Sequence, residues 1–234
     1  MESTILVQET YFNELTSNDI KKNFIKNMYL TLLPKVLLIY GSLYLPYFEY
    51  CQLFFRSSFS EGFFIIFFYI LFISTVLLYS NFNDIHNQND ITSYSHLFTM
   101  CFSYIFTYLT YYLHTQFFIF TGDYLIALIL TIICYTYQNN YSFTYNNLIK
   151  MSFISQLSVL FILTMIYNNF EYIFFTYLTS SIAKLFIIYD TESIVSSTSR
   201  RFNIRTTDFL SGSMVLYLDL FNIFPFIINL FIGR

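Results

Sequence analysis

Long apolar stretches separated by short polar breaks run along nearly the whole chain. Stretches of bilayer-crossing length, roughly 17–25 residues each, cover 28–48, 62–79, 97–113, 117–137, 151–167, 172–189 and 212–232. They are too long for strands and too apolar all round for one-sided surface helices. The pattern therefore predicts an all-α fold, a polytopic membrane protein built as a seven-transmembrane-helix bundle. The third and fourth stretches are divided only by His114, Thr115 and Gln116, and Asp123 falls inside the fourth, so this hairpin is the least sharply marked boundary.

The first 23 residues are polar and acidic, with Glu2, Glu9, Glu14 and Asp19. They have neither the apolar core of a signal peptide nor the arginines of a mitochondrial presequence. Insertion is expected to begin at the first span, dividing the chain into a polar cytosolic segment (1–23) and a transmembrane domain (24–234). At the other end, Gly233 and Arg234 stand just past the last span, so no cytosolic tail is expected. No internal repeat, linker or second domain is visible.

Composition agrees with the pattern. Only 11% of the 234 residues are charged, against about 25% in soluble chains, while 56% are hydrophobic and 23% aromatic. The abundance of Phe, Tyr, Asn and Ile, with few Ala, Gly, Pro and no Trp, is the imprint of an AT-rich coding genome. No Lys or Arg occurs from Ser57 to Ile149. With a cytosolic N-terminus, the inner segments carry Lys21, Lys22, Lys26, Lys150, Arg200, Arg201 and Arg205, and the outer ones only Arg56 and Arg234. That bias predicts N-terminus-in orientation. The sequon Asn140-Tyr141-Ser142 then lies in the cytosol, and a glycan on Asn140 would overturn the topology.

A net charge of −3 without a basic cluster excludes nucleic acid as a partner. Cys51, Cys101 and Cys134 are too far apart for a disulfide framework or a zinc pattern. The five glycines form no phosphate loop. His86 and His96, with Asp84 and Asp90, are irregularly spaced and read as a solvated loop rather than a metal site. The Ser/Thr/Arg-rich stretch 195–210 reads as a solvated, positively charged anchor. No metal, cofactor or catalytic residue is assigned.

Charges at bilayer depth cost a few kcal/mol each and are functional candidates by default. Four qualify: Lys35, Lys184, Asp190 and Asp219. Asp190 lies near the cytosolic end of the sixth span and Asp219 roughly 10 Å into the seventh, at 1.5 Å per residue. On neighbouring antiparallel helices, two carboxylates at this depth would share a proton and titrate as a unit, which is the basis of a pH-sensitive latch. The competing reading gives each aspartate a backbone cap or a lysine partner.

The runs Phe186-Ile187-Ile188-Tyr189-Asp190-Thr191 and Leu216-Tyr217-Leu218-Asp219-Leu220-Phe221-Asn222-Ile223-Phe224 resemble the paired signature of the transmembrane Bax-inhibitor-motif family. That family includes the lifeguard and Golgi anti-apoptotic proteins. Phe24 to Tyr29 and Tyr135 to Phe143 resemble its first-helix entry and fourth-helix exit. The resemblance implies a seven-helix bundle with the last helix central. It further implies a calcium leak from Golgi or endoplasmic reticulum, gated by a proton-sharing aspartate pair, and inhibition of apoptosis as in animal and poxviral members. Asp190 and Asp219 match the family's pore-region pair. Ser142, Asn139 and Asn140 depart from the acidic and basic residues usual there, and no arginine follows the second helix as in some members. Lys35, with Lys184 less well aimed, is the expected substitute charge partner; snorkelling to the interface is the competing role for Lys35.

Calcium is thus the expected permeant ion, and the lipid bilayer the first partner. A second reading is a non-conducting adaptor that binds a host apoptosis or calcium-channel regulator through loop residues such as Arg200, Arg201 and Arg205. An intramembrane hydrolase built on the two aspartates lacks a Gly-rich gating motif, and a transporter lacks inverted repeats. The expected protein is a membrane channel rather than an enzyme.

Overall fold

The structure, a computed structural model, describes residues 18–81, 88–113, 116–138, 144–196 and 208–218. Every element among them is helical: α1 (Asn18–Ser42), a 3₁₀ turn (Leu45–Tyr47), α2 (Glu49–Phe55), α3 (Ser58–Asn81), α4 (Gln88–Leu113), α5 (Phe117–Thr136), α6 (Tyr145–Ile166) and α7 (Phe170–Ser196). An apolar helix, α8 (Phe209–Leu218), follows. Five segments are long and apolar enough to cross a membrane: Ile20–Tyr47, Ser58–Leu78, Phe117–Thr136, Tyr145–Ile166 and Phe170–Val195. These make the chain an integral membrane protein.

The helices begin earlier than the apolar runs suggest. α1 starts at Asn18 rather than at Met28 because its first turns are amphipathic. Phe24, Ile25, Met28, Tyr29 and Leu32 are buried on one face, and polar side chains between them break the run without breaking the helical period. Within the first span the α-helix is interrupted early: α1 stops at Ser42, and Pro46 sits in the 3₁₀ turn, where its fixed φ suits a tight turn and its missing N–H is not needed. The short α2 that follows leaves Tyr50 (89%) and Leu53 (71%) exposed, an apolar surface suited to the lipid boundary.

α4 corrects the loop expected between the second and third spans. It begins at Gln88, so Asp90 and His96 are exposed positions on its first turns, not loop residues; Asp84 and His86 lie outside the described residues. Hydroxyl-rich segments look like solvated loop because composition hides how hydroxyls are used. Here Thr99, Thr107 and Thr110 donate to the carbonyls of Ser95 (2.8 Å), Ser103 (2.5 Å) and Phe106 (2.8 Å), each four residues back on the same helix. These three hydroxyls are satisfied locally, which lets their face of the helix be buried.

The described chain forms two compact units. The division falls within α1, between Leu32 and Leu33, and within α5, between Ile126 and Ala127. Unit one holds the first part of α1, the end of α5, and α6, α7 and α8. Its core includes Ile25, Tyr29, Leu128, Ile132, Ile173, Ile188, Met214 and Tyr217, all nearly inaccessible. α8 is enclosed on nearly every side, with Ser211, Gly212, Ser213, Met214, Leu216, Tyr217 and Leu218 buried. It approaches α1 at Gly212, where a Cβ would sit 3.1 Å from both Met28 Sδ and Phe24 Cζ.

Unit two holds the rest of α1, the turn, α2, α3, α4 and the start of α5. α3 and α4 pair through aromatic rings: Phe67 with Tyr104 at 4.9 Å between centroids and Phe64 with Tyr108 at 4.8 Å. Tyr104 also donates to the carbonyl of Ser60 (2.9 Å). The remaining faces of α3 expose Phe59, Ile65, Ile66, Phe68, Phe72 and Ile73, the surface expected against lipid hydrocarbon.

Candidate functional site

α7 carries a buried stripe that is not apolar. Thr176, Ser180, Lys184 and Thr191 recur at intervals of four, four and seven residues, which places them on one helix face. All four are buried. Ile173, Ile187, Ile188 and Ile194 fill the same side, so the stripe forms a polar seam through an apolar core.

The facing helix α6 contributes Ser152 and Gln156, both buried. Gln156 Nε2 donates to the carbonyl of Ser180 (3.4 Å), and its Oε1 (3.1 Å) shares the Ser181 proton with the carbonyl of Tyr177 (2.8 Å). One amide thus holds α6 and α7 together at the seam. Nearer the end of α7, the Tyr29 hydroxyl of α1 lies 2.6 Å from Thr191 Oγ1. Thr191 donates its single proton to the carbonyl of Ile187 (2.7 Å). A hydroxyl has one proton to give, so Tyr29 is the donor to Thr191. The contact joins residues 162 positions apart in sequence.

Lys184 lies in the seam with its ammonium over the Phe153 ring, 5.1 Å from the centroid. Such a cation–π contact offsets part of the lost hydration without neutralising the charge. Among the described residues Lys184 forms no ion pair. Asp190 is half-buried and likewise forms none among the described residues. At 3.6 residues per turn it is about 100° from Thr191 and 120° from Lys184, on the flank of the seam and roughly 9 Å along the axis from Lys184.

Asp219 lies outside the described residues, one position past Leu218 on α8, so the expected pair is represented by Asp190 alone. Lys35 is half-buried on α1 within unit two, directly after Pro34, and has no ion-pair partner among the described residues. Arg200, Arg201, Arg205, Asn139, Asn140 and Ser142 also lie outside the described residues.

Two further arrangements escaped sequence reasoning. Lys22, counted only among the inner-segment charges, is buried and donates to the carbonyl of Gln138 (2.7 Å) just past the end of α5. Lys26 lies 4.4 Å above the Tyr137 ring. Cations there complement the negative end of the α5 dipole. Beside them, a pocket of about 240 Å³ is lined by residues of three elements, among them Lys21, Tyr145, Ile188 and Glu192. In unit two, Tyr40 donates to the Asp123 carboxylate, and its ring lies over Gly122, where a Cβ would fall 2.5 Å from Tyr40 Cδ2. Only glycine fits beneath that ring. No group of three His, Cys, Asp or Glu side chains among the described residues is placed to hold a metal ion.

Chemically, the α7 seam offers hydroxyl oxygens in series, one fixed cation and a flanking carboxylate. Hydroxyls can replace part of an ion's hydration shell, and the charges decide which sign of ion passes. Comparison with known proteins yields no match, whether against family models, curated proteins or solved structures.

Proposed function

We propose that the chain is a pH-sensitive cation leak of intracellular membranes, passing calcium and blunting apoptotic signalling. The observation that carries this reading is Lys184, a buried ammonium without a carboxylate partner among the described residues, set in a hydroxyl-lined seam about 9 Å along α7 from Asp190. A lone positive charge in such a seam repels a divalent cation strongly, because the surroundings screen it poorly. Ionised carboxylates at Asp190 and Asp219 would offset it. Lys184 thereby takes the place of the arginine that some Bax-inhibitor-motif proteins carry and this chain lacks. The seam conducts when the aspartates are ionised and closes when acid protonates them.

Contacts within unit one support a seven-span arrangement with the N-terminus in the cytosol. The Lys22–Gln138 bond brings the start of α1 and the end of α5 to one membrane face. An even number of crossings between them supports a crossing by α4 along with α1, α3 and α5, despite its hydroxyls. The pocket shared by Lys21, Tyr145 and Glu192 supports putting the start of α6 and the end of α7 at the same face. Lys21, Lys22, Lys26 and Lys150 all belong to elements at this end, which supports its assignment to the cytosol. The near-complete burial of α8 supports a central last helix.

The test is calcium flux into liposomes holding purified protein, measured across pH. Wild type is expected to conduct above a threshold pH. Asp190→Asn and Asp219→Asn should each reduce flux, whereas Lys184→Gln should raise it and flatten its pH dependence. Absence of flux at every pH would sink the leak, and unchanged flux in Lys184→Gln would remove the proposed gate.

A further inference from the structure

Unit two contains a second intramembrane carboxylate, and its hydrogen bonding has a direction. Tyr40, near the end of α1, donates to Asp123 Oδ1, near the start of α5. The Tyr40 oxygen also lies 2.7 Å from the Tyr44 hydroxyl. A phenol has one proton. Since that of Tyr40 is committed to the carboxylate, Tyr44 must be the donor in the second bond. The three groups form an ordered chain, Tyr44 to Tyr40 to Asp123, running from an exposed phenol to a half-buried carboxylate.

The packing holds this chain in register. Tyr40 and Tyr44 are four residues apart on one side of the chain, with rings edge to face at 5.4 Å. The close seat of the Tyr40 ring over Gly122 aims its hydroxyl at the next residue, Asp123. The titratable groups seen beside the carboxylate and its relay include these two phenols and Tyr47, whose ring stands 6.4 Å from that of Tyr44. Lys35 is five residues before Tyr40, about 140° around the helix axis.

We propose that Tyr44 and Tyr40 are a proton relay that loads and unloads Asp123 from the membrane surface at which α1 ends, making Asp123 a proton-binding site separate from the α7 seam. In loading, the Tyr44 oxygen takes a proton from hydronium while passing its own to the Tyr40 oxygen. Tyr40 in turn passes its own to Asp123 Oδ1. Both phenols stay neutral, and the net change is carboxylate plus hydronium to carboxylic acid plus water. The reversed chain, with the carboxylic acid donating to Tyr40 and Tyr40 to Tyr44, unloads the site by the same steps. No residue of the proposed calcium seam takes part, so failure of either proposal leaves the other standing.

The test is time-resolved infrared spectroscopy of the reconstituted protein after an acid jump. A protonated-carboxyl C=O band that disappears in Asp123→Asn reports loading of the site. Tyr40→Phe is expected to slow its appearance roughly a hundredfold, at the low end of what a positioned proton carrier contributes. Tyr44→Phe, at an exposed position, should slow it as well and decides the matter if Tyr40→Phe does not fold. A Tyr40 that only satisfies the carboxylate would shift the pH midpoint of the band and leave its rate unchanged. That outcome, or a band indifferent to Asp123→Asn, overturns the proposal.

Discussion

At the scale of single residues, the Tyr29–Thr191 contact separates making a hydrogen bond from leaving a buried group without one. Thr191→Val keeps the shape of the side chain but strands the Tyr29 hydroxyl in a fully buried position, and is expected to destabilise by about 1–3 kcal/mol. Tyr29→Phe removes the donor instead. Thr191 then still bonds the Ile187 carbonyl, so the cost should stay near or below about 1 kcal/mol. Denaturant titration of both variants in detergent reads the difference; equal losses would mean that the bond does not run from Tyr29 to Thr191. Charged positions at this scale were legible in sequence, because Lys35, Lys184, Asp123 and Asp190 each interrupt an apolar run at evident energetic cost. Tyr29, Tyr40 and Thr191 were not. A phenol or hydroxyl in an aromatic-rich run carries no such mark, and its partner is fixed only by folding.

At the scale of elements, the existence and type of five spanning helices could be read from apolar run length, while their edges could not. Run length misses an amphipathic start such as that of α1 and a hydroxyl-rich one such as that of α4, since both keep helical period while losing apolar continuity. It also misses close approaches between helices. Gly212 is where α8 meets Phe24 and Met28 of α1, and the sequence shows only a glycine at the start of an apolar run. Gly212→Leu is expected to cost about 1–3 kcal/mol through overpacking. Gly212→Ala should cost distinctly less, because the groups it meets are a thioether and a ring edge that yield by a few tenths of an ångström. Combining Gly212→Leu with Met28→Ala should give a loss smaller than the sum of the single losses, the non-additivity expected of residues in contact. Additive losses in thermal unfolding would show that α8 and α1 do not press together there.

At the scale of the whole molecule, Lys22 near the start of α1 bears on how many times the chain crosses the bilayer. Counting charges between spans predicts an orientation, but it takes Lys22 only as one inner charge and says nothing of what it touches. Its bond to the Gln138 carbonyl adds a parity condition: with α1, α3 and α5 as the only crossings between these points, the start of α1 and the end of α5 would lie on opposite faces. The buried hydroxyls of Thr99, Thr107 and Thr110 on α4, each bonded to a carbonyl of its own helix, make a fourth crossing physically acceptable. Labelling of single cysteines with a membrane-impermeant maleimide in sealed, right-side-out vesicles distinguishes the cases, in a background where Cys51, Cys101 and Cys134 are replaced by Ser. Gln52, Gln138 and Asn168 are all exposed and stand within α2, after α5 and between α6 and α7. Gln52→Cys and Asn168→Cys are expected to react from one face, and Gln138→Cys only after the vesicles are opened. If α4 lies along the surface instead of crossing, Gln138→Cys will react together with Gln52→Cys, and the end of α5 would then have to reach Lys22 through the bilayer. That cannot be reconciled with a 2.7 Å bond, so the same experiment tests both the crossing of α4 and the role of Lys22 as the cap of α5.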